Sequence, residues 1–266
     1  MTMPVVNPRT GEADHHITPL RKDSLARIAA ELREAQRAWF AMGPAARASE
    51  LTALSDAIER HKNRITAALA TDTGRAAISR IEVEGTIRNL RRWAEQGPAL
   101  IARHEGGVRP TSIPTVTTRT RLVPYPLVGV ISPWNFPLTL ALIDAVPALA
   151  AGCAVIVKPS EVAPRFIGPL MDAIREVPAI ASVLTLIEGD GQTGAEMIDL
   201  VDYVAFTGSV ATGRKVGEAA VRAFIPCSLE LGGKDPMIVL KSADPVKAAK
   251  TALRASVLNT GQACQS

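Results

Sequence analysis

The sequence predicts an α/β fold: a mostly parallel sheet with helices on both faces, preceded by a helical region. Three observations carry this reading. From Val128 onward, short apolar runs alternate with segments of helical period. The central runs are apolar throughout rather than alternating, as strands covered on both faces must be. The first hundred residues instead keep apolar positions on one helical face.

In the N-terminal region Leu25, Ile28, Ala29, Leu32 and Ala35 place one helix over Asp23 to Met42. Leu51, Leu54, Ile58 and Ile65 place a second over Pro44 to Asp72, with Gly74 as its stop. A third, rich in Arg and Glu, runs from Ala76 to His104 and ends at Gly106-Gly107. Pro114 to Leu122 changes character: Thr115, Thr117, Arg119 and Arg121 alternate with Val116, Thr118, Thr120 and Leu122. That period-two pattern predicts an extended strand, part of a ribbon.

The alternating region follows. Strands are predicted at Val128–Ile131, Ala154–Val157, Val183–Ile187, Tyr203–Phe206, Ser228–Leu231 and Met237–Leu240. Helices are predicted at Leu138–Ala151, closed by Gly152, then Arg165–Arg175, Ala195–Leu200 and Val210–Ala223. A last helix starts at Asp244-Pro245, a good N-cap and first-turn pair, and runs to about Leu258. Leu138 to Val157 is nearly apolar over about the length of a membrane span, but it contains Asp144, Pro147 and Gly152. It reads as a buried helix followed by a buried strand, and no membrane association is expected.

Composition narrows the function. The 266 residues are 47% hydrophobic and 21% charged, which is globular. The net charge of +4 gives no reason to expect nucleic acid as a partner. The three cysteines, Cys153, Cys227 and Cys264, are too few and too widely spaced for a disulfide scaffold. They suit a reducing cytosol, and the N-terminus shows no secretory signal, so a cytoplasmic protein is expected. Four His and no Cys-x-x-Cys leave little for a metal site, and none is predicted.

In open α/β sheets ligands bind beyond the carboxyl ends of the strands. Four such ends carry unusual polar groups: Ser132-Pro133-Trp134-Asn135, Lys158-Pro159-Ser160-Glu161, Phe206-Thr207-Gly208-Ser209, and Glu230 beside Leu231-Gly232-Gly233. Gly208 to Gly213 joins a strand to a helix, where glycine and free N–H groups suit a phosphate; an ordinary turn with Ser209 as N-cap is the plainer alternative. Gly189 to Gly194 competes as a literal G-x-G-x-x-G, but the next strand ends without the expected acid. Lys158 and Glu161 are either solvated charges or contacts to a ribose. The Asn135 amide is suited to an oxyanion or to a local turn. Cys264 lies in a Gly-flanked loop and is a candidate thiolate, whereas Cys153 and Cys227 start apolar strands and read as core.

Together the motifs resemble the aldehyde dehydrogenase superfamily. PWNFP at 133–137, KPSE at 158–161, FTGS at 206–209, LELGGK at 229–234 and GQAC at 261–264 stand in that family's order. The resemblance implies a Rossmann-like dinucleotide-binding domain over 1–113 and 123–231, an oligomerisation strand at 114–122, and the start of a catalytic domain at 232–266. It implies Cys264 as nucleophile, Glu230 as general base and Asn135 as oxyanion donor. NAD, with NADP possible, is the implied cofactor. Its contacts would be Ser132, Pro133, Trp134, Lys158, Ser160, Glu161, Gly191, Phe206, Thr207, Gly208, Ser209, Thr212, Leu231 and Gly232. The G-x-x-x-x-G turn at 208–213, not the 189–194 run, is the family's pyrophosphate turn.

The implied reaction oxidises a small-molecule aldehyde to a carboxylic acid through a thiohemiacetal and a thioester. The implied assembly is a homodimer or homotetramer. Family members run to about twice this length, so the sequence reads as an N-terminal part. Two alternatives stand beside this reading: a coenzyme A-acylating relative, which generally lacks the Glu, and a non-enzymatic nucleotide-binding module.

Overall fold

The computed structural model describes residues 2–264. Met1, Gln265 and Ser266, at the ends of the expected domain ranges, lie outside the described residues. The chain opens on a hairpin absent from the sequence reading: β1 (Met3–Val6) pairs antiparallel with β2 (Ala13–Ile17). Its turn was legible. Asn7 Oδ1 accepts from the Arg9 N–H at 3.0 Å, and Gly11 takes φ 75.

Three long helices follow close to their expected bounds: α1 (Lys22–Ala41), α2 (Gly43–Thr73) and α3 (Ala76–His104). Gly74 ends α2 at φ 70. The expected strand over 114–122 is not formed as such. Only β3 (Arg109–Pro110) and β4 (Thr117–Thr118) pair, and residues 112–123 are all exposed. Alternation specifies a strand only when one of its faces has something to pack on, and here neither face does.

The sheet segment follows as β5 (Leu127–Ile131), α4 (Pro137–Leu142), α5 (Ala145–Ala151), β6 (Ala154–Lys158), α6 (Ile167–Arg175), α7 (Pro178–Ala181), β7 (Leu184–Leu186), α8 (Gly191–Ile198), β8 (Tyr203–Gly208), α9 (Val210–Ala223) and β9 (Cys227–Leu231). The single helix expected over Leu138–Ala151 is broken between α4 and α5. Pro147 has no N–H to give the carbonyl of Ile143, where the break falls.

The five strands lie in the order β7-β6-β5-β8-β9, all parallel. The chain starts in the middle at β5, runs outward to β7, and then crosses back to β8. The strand order therefore reverses between β5 and β8, and a ligand crevice opens at that point. Helices α5, α6 and α7 cover one face, backed by α2, while α8, α9 and α1 cover the other. Ala154 to Val157 are at most 1% exposed, as continuous apolar strands between two helical layers should be. Burying each of the Val and Ile side chains there is worth roughly 1.5–3 kcal/mol.

Buried polar groups tie the layers together. The Trp39 indole donates to Leu149 O at 2.9 Å, Gln36 to Gly152 O at 2.8 Å, and Arg47 to Ala150 O at 3.1 Å. All three donate to carbonyls at the C-terminal end of α5, of which Leu149 O also accepts from the Gly152 N–H at 3.0 Å. Arg47 is 1% exposed, and burial lowers its pKa. Cys153 is buried; Cys227, at the start of β9, is only half-buried.

Beyond β9 the chain leaves the sheet. The strand expected at Met237–Leu240 is absent; residues 232–240 are irregular and exposed. The run is apolar enough for a core strand, but among the described residues no strand pairs with it. α10 (Pro245–Val257) forms as expected, with Asp244 Oδ1 accepting from the Lys247 N–H at 2.8 Å, and none of its residues is buried. A 3-10 turn, Leu258–Gly261, carries the chain to Cys264. Among the described residues no helix is long and apolar enough to cross a membrane, and no group of His, Cys, Asp and Glu is placed to hold a metal ion.

Candidate active site

The crevice at the β5/β8 reversal is a cleft of about 720 Å3. Ser132, Pro133 and Trp134 follow β5 into it. Lys158, Ser160 and Glu161 enter from the end of β6, Gly191 from α8, and Phe206, Thr207, Gly208, Ser209 and Thr212 from β8 and α9. Leu231 and Gly232, also expected in the cofactor set, line a second cavity next to it.

Lys158 is 4% exposed, and its ammonium donates to Glu161 Oε2 at 3.0 Å and to Gly189 O at 3.1 Å. The two charges read from sequence as either solvated or functional are thus a largely buried cation held by a carboxylate at the cleft wall. The Ser132 hydroxyl is buried at the cleft and has no hydrogen-bond partner among the described residues.

The two glycine turns differ in what occupies their helix N-termini. At α8 the Asp190 carboxylate accepts from the Thr193 N–H at 2.9 Å, and Arg21 grips the same carboxylate through both Nη atoms at 2.9 Å. Those bonds, the Arg21 side chain first, hold the Asp190 carboxyl well below the usual carboxylate range. An anion is already built into that turn, so the 189–194 run offers no vacant cradle. At α9 the cap is the neutral Ser209 hydroxyl, which accepts from the Thr212 N–H at 3.2 Å. The glycines of this turn are needed for packing. A Cβ on Gly208 would lie 2.6 Å from the Phe206 ring, and one on Gly213 would lie 2.4 Å from Leu231 Cδ2.

The second cavity adjoins the cleft and shares Pro133, Trp134, Thr207, Gly208 and Ser209 with it. Asn135, Glu230 and Cys264 all line it, together with Gly261, Gln262 and Ala263. Glu230 stands on β9 in register with Thr207 on β8. Cys264 is exposed, three residues beyond the 3-10 turn. One Asn135 amide hydrogen goes to Gln262 O at 2.9 Å. An amide nitrogen has two, so one remains for a ligand. Residues from three separate chain regions, 129 positions apart at the extremes of Asn135 and Cys264, thus meet in one space.

Several residues of the site were missed from sequence. Lys215 and Arg222 line the cleft from α9. Their i, i+7 spacing on a helix that starts at Ser209 was the available signal. Glu82 on α3 accepts from the Thr139 N–H at 3.2 Å, close behind the PWNFP turn, and its other oxygen has no partner among the described residues. Burial pushes its carboxyl up to about 7. Asp144 is raised too, by burial and then by the charge of Glu230.

The family model described as the aldehyde dehydrogenase family matches residues 1–266. The chain belongs to the aldehyde dehydrogenase family. Geranial dehydrogenase of Castellaniella defragrans is 35% identical over 98% of this chain and 55% of its own length. The solved structure of PutA from Anabaena variabilis is 49% identical, with a TM-score of 0.94 over 99% of this chain and 56% of that one. Betaine aldehyde dehydrogenase of Staphylococcus aureus, solved in complex with NAD+, is 28% identical, with a TM-score of 0.88 over 99% and 54%. The chain spans about half the length of the relatives it matches.

Proposed function

We propose that this aldehyde dehydrogenase family chain supplies the dinucleotide cleft and the reacting side chains of an NAD(P)-dependent oxidation of an aldehyde to a carboxylic acid. The observation that carries the proposal is the adjoining pair of cavities: Asn135, Glu230 and Cys264 line one, and the β5/β8 crevice is the other.

The residues present fit a dinucleotide. The α9 N-terminus offers free N–H groups to a pyrophosphate. Glu161 and Lys158 at the β6 end suit ribose hydroxyls, and the unpartnered Ser132 hydroxyl faces the same cleft. When bound, the nicotinamide accepts hydride from the substrate carbon. Every other part of the chemistry falls to the chain's own residues. The Cys264 thiolate attacks the aldehyde carbon, and the free Asn135 N–H meets the oxyanion that forms. Glu230 takes a proton from water, which releases the acid from the Cys264 thioester. The presence of Glu230 favours water over coenzyme A as the acyl acceptor.

In this reading residues 1–113 and 123–231 form the dinucleotide domain and 232–266 begins the catalytic part. The exposed 114–122 segment takes up its strand form in a homodimer or homotetramer, and the protein works in the cytoplasm. The test is NADH formation by the full-length native protein across aliphatic, aromatic and semialdehyde substrates, with and without coenzyme A. Acid formation independent of coenzyme A supports the reading; a strict requirement for coenzyme A, or no NADH from any aldehyde, removes it.

A further inference from the structure

Arg75 follows Gly74 at the junction of α2 and α3 and lines neither cavity. Its Nη2 donates to the backbone carbonyl of Asn135 at 2.8 Å, and its Nη1 donates to Oδ1 of Asn259. The guanidinium lies over the Phe136 ring, 5.6 Å from the centroid. Burial lowers the Arg75 pKa, a cost that its partners must offset. Asn259 is itself buried and left-handed at φ 56. Its Nδ2 donates to Asn135 O at 3.2 Å and to Gln262 O at 2.9 Å. Gln262 O is also the acceptor of the Asn135 amide. Two side chains outside the cavity thus tie the turn after β5 to the turn that ends at Cys264.

We propose that Arg75 and Asn259 are positioning residues for the reaction, holding the Asn135 amide and the Cys264 turn at a fixed spacing through their shared bonds to Asn135 O and Gln262 O. The inference rests on the reading of Asn135 and Cys264 given above. An oxyanion donor is effective only where it is already aimed, so a misplacement of the two turns would cost rate rather than cofactor affinity.

The test is a double-mutant cycle on the full-length native protein: wild type, Arg75→Ala, Asn135→Ala and the double variant. Turnover is read with saturating aldehyde, cofactor Kd by NADH fluorescence, and the two turns by amide hydrogen exchange. Arg75→Ala is expected to lower kcat by about 10- to 100-fold with Kd within about two-fold, and to cost far less when Asn135 is already Ala. Exchange should quicken together in 134–136 and 258–264 and stay unchanged in β5 and β8. Equal losses in both backgrounds would mark Arg75 as merely structural and overturn the proposal, as would full activity or unchanged exchange in Arg75→Ala. If Arg75→Ala fails to fold, Arg75→Lys serves: it keeps the charge on a single donor nitrogen that cannot span both acceptors in the guanidinium's fork geometry, so an intermediate kcat supports the proposal and wild-type kcat overturns it. A wild type that forms no NADH would instead remove the proposed reaction, and the exchange result would still report whether Arg75 couples the turns.

Discussion

The ammonium of Lys158 lies 3.0 Å from Glu161 Oε2 while it also donates to the carbonyl of Gly189. The carboxylate is thereby fixed at the cleft wall, where it would accept from the 2′- and 3′-hydroxyls of an adenosine ribose. A 2′-phosphate would meet like charge there, softened by Lys158 itself. NAD should therefore be preferred over NADP by a moderate margin. Glu161→Gln is expected to narrow the ratio of kcat/KM for the two cofactors, mainly by improving NADP. A wild type that prefers NADP, or an unchanged ratio in the variant, would show that Glu161 does not discriminate.

Glu230 shares a cavity with Cys264 and is free to reach water. A base is needed for thioester hydrolysis, whereas attack needs only an ionised thiol. In Glu230→Gln, rapid mixing should record a burst of NADH close to one per site, followed by slow turnover. Equal falls in burst and steady-state rate would place Glu230 in the first step as well.

Gly213 brings α9 against β9, with no room for a Cβ beside Leu231 Cδ2. Gly213→Ala should lower stability by about 1–3 kcal/mol in denaturant titrations. It should also weaken NADH binding, because the displaced element is the one whose N-terminus faces the cleft. Unchanged stability and binding together would mean that Leu231 moves aside freely.

The Glu82 carboxyl is pushed up from 4.5 to about 7 by burial, against the opposing pull of the Thr139 N–H and the charge of Arg75. A raised carboxyl pKa favours the folded state most where the group is protonated. This contribution is complete below about pH 4.5 and is lost as pH rises through about 7, on the order of 3 kcal/mol in all. Glu82→Gln cannot ionise. The Tm of wild type relative to the variant should fall between about pH 4.5 and about pH 7 and be level above that. Parallel Tm profiles would show that Glu82 ionises without cost.

The elements easiest to read were those whose partners lie nearby in sequence. α3 matches its expected bounds because an amphipathic period needs only one apolar layer, and α9 matches because a Ser N-cap and a basic last turn mark its ends. The strand ends that build the cleft were legible for the same reason: Lys158, Glu161 and Ser209 each stand within four residues of the end of a short apolar run. The 237–240 run was misread because a strand is completed by its neighbours, and it has none among the described residues; of the 114–122 run only Thr117–Thr118 finds one there, the two-residue β3. Arg75, Asn259 and Glu82 carry no local signature at all. Their roles come from contacts across 57 residues or more, such as Glu82 to Thr139 and Arg75 to Asn135 and to Asn259, which pattern reading along the chain does not reach.

Cys264, the proposed nucleophile, lines the cavity that adjoins the cleft at the β5/β8 reversal. The most direct measurement is NADH formation by Cys264→Ser in the full-length native protein, with NADH binding followed in parallel. The serine hydroxyl keeps the shape but is not ionised at neutral pH, so turnover should fall to background while the Kd for NADH stays within about two-fold of wild type. NADH production by the variant at a rate near that of wild type would contradict the account.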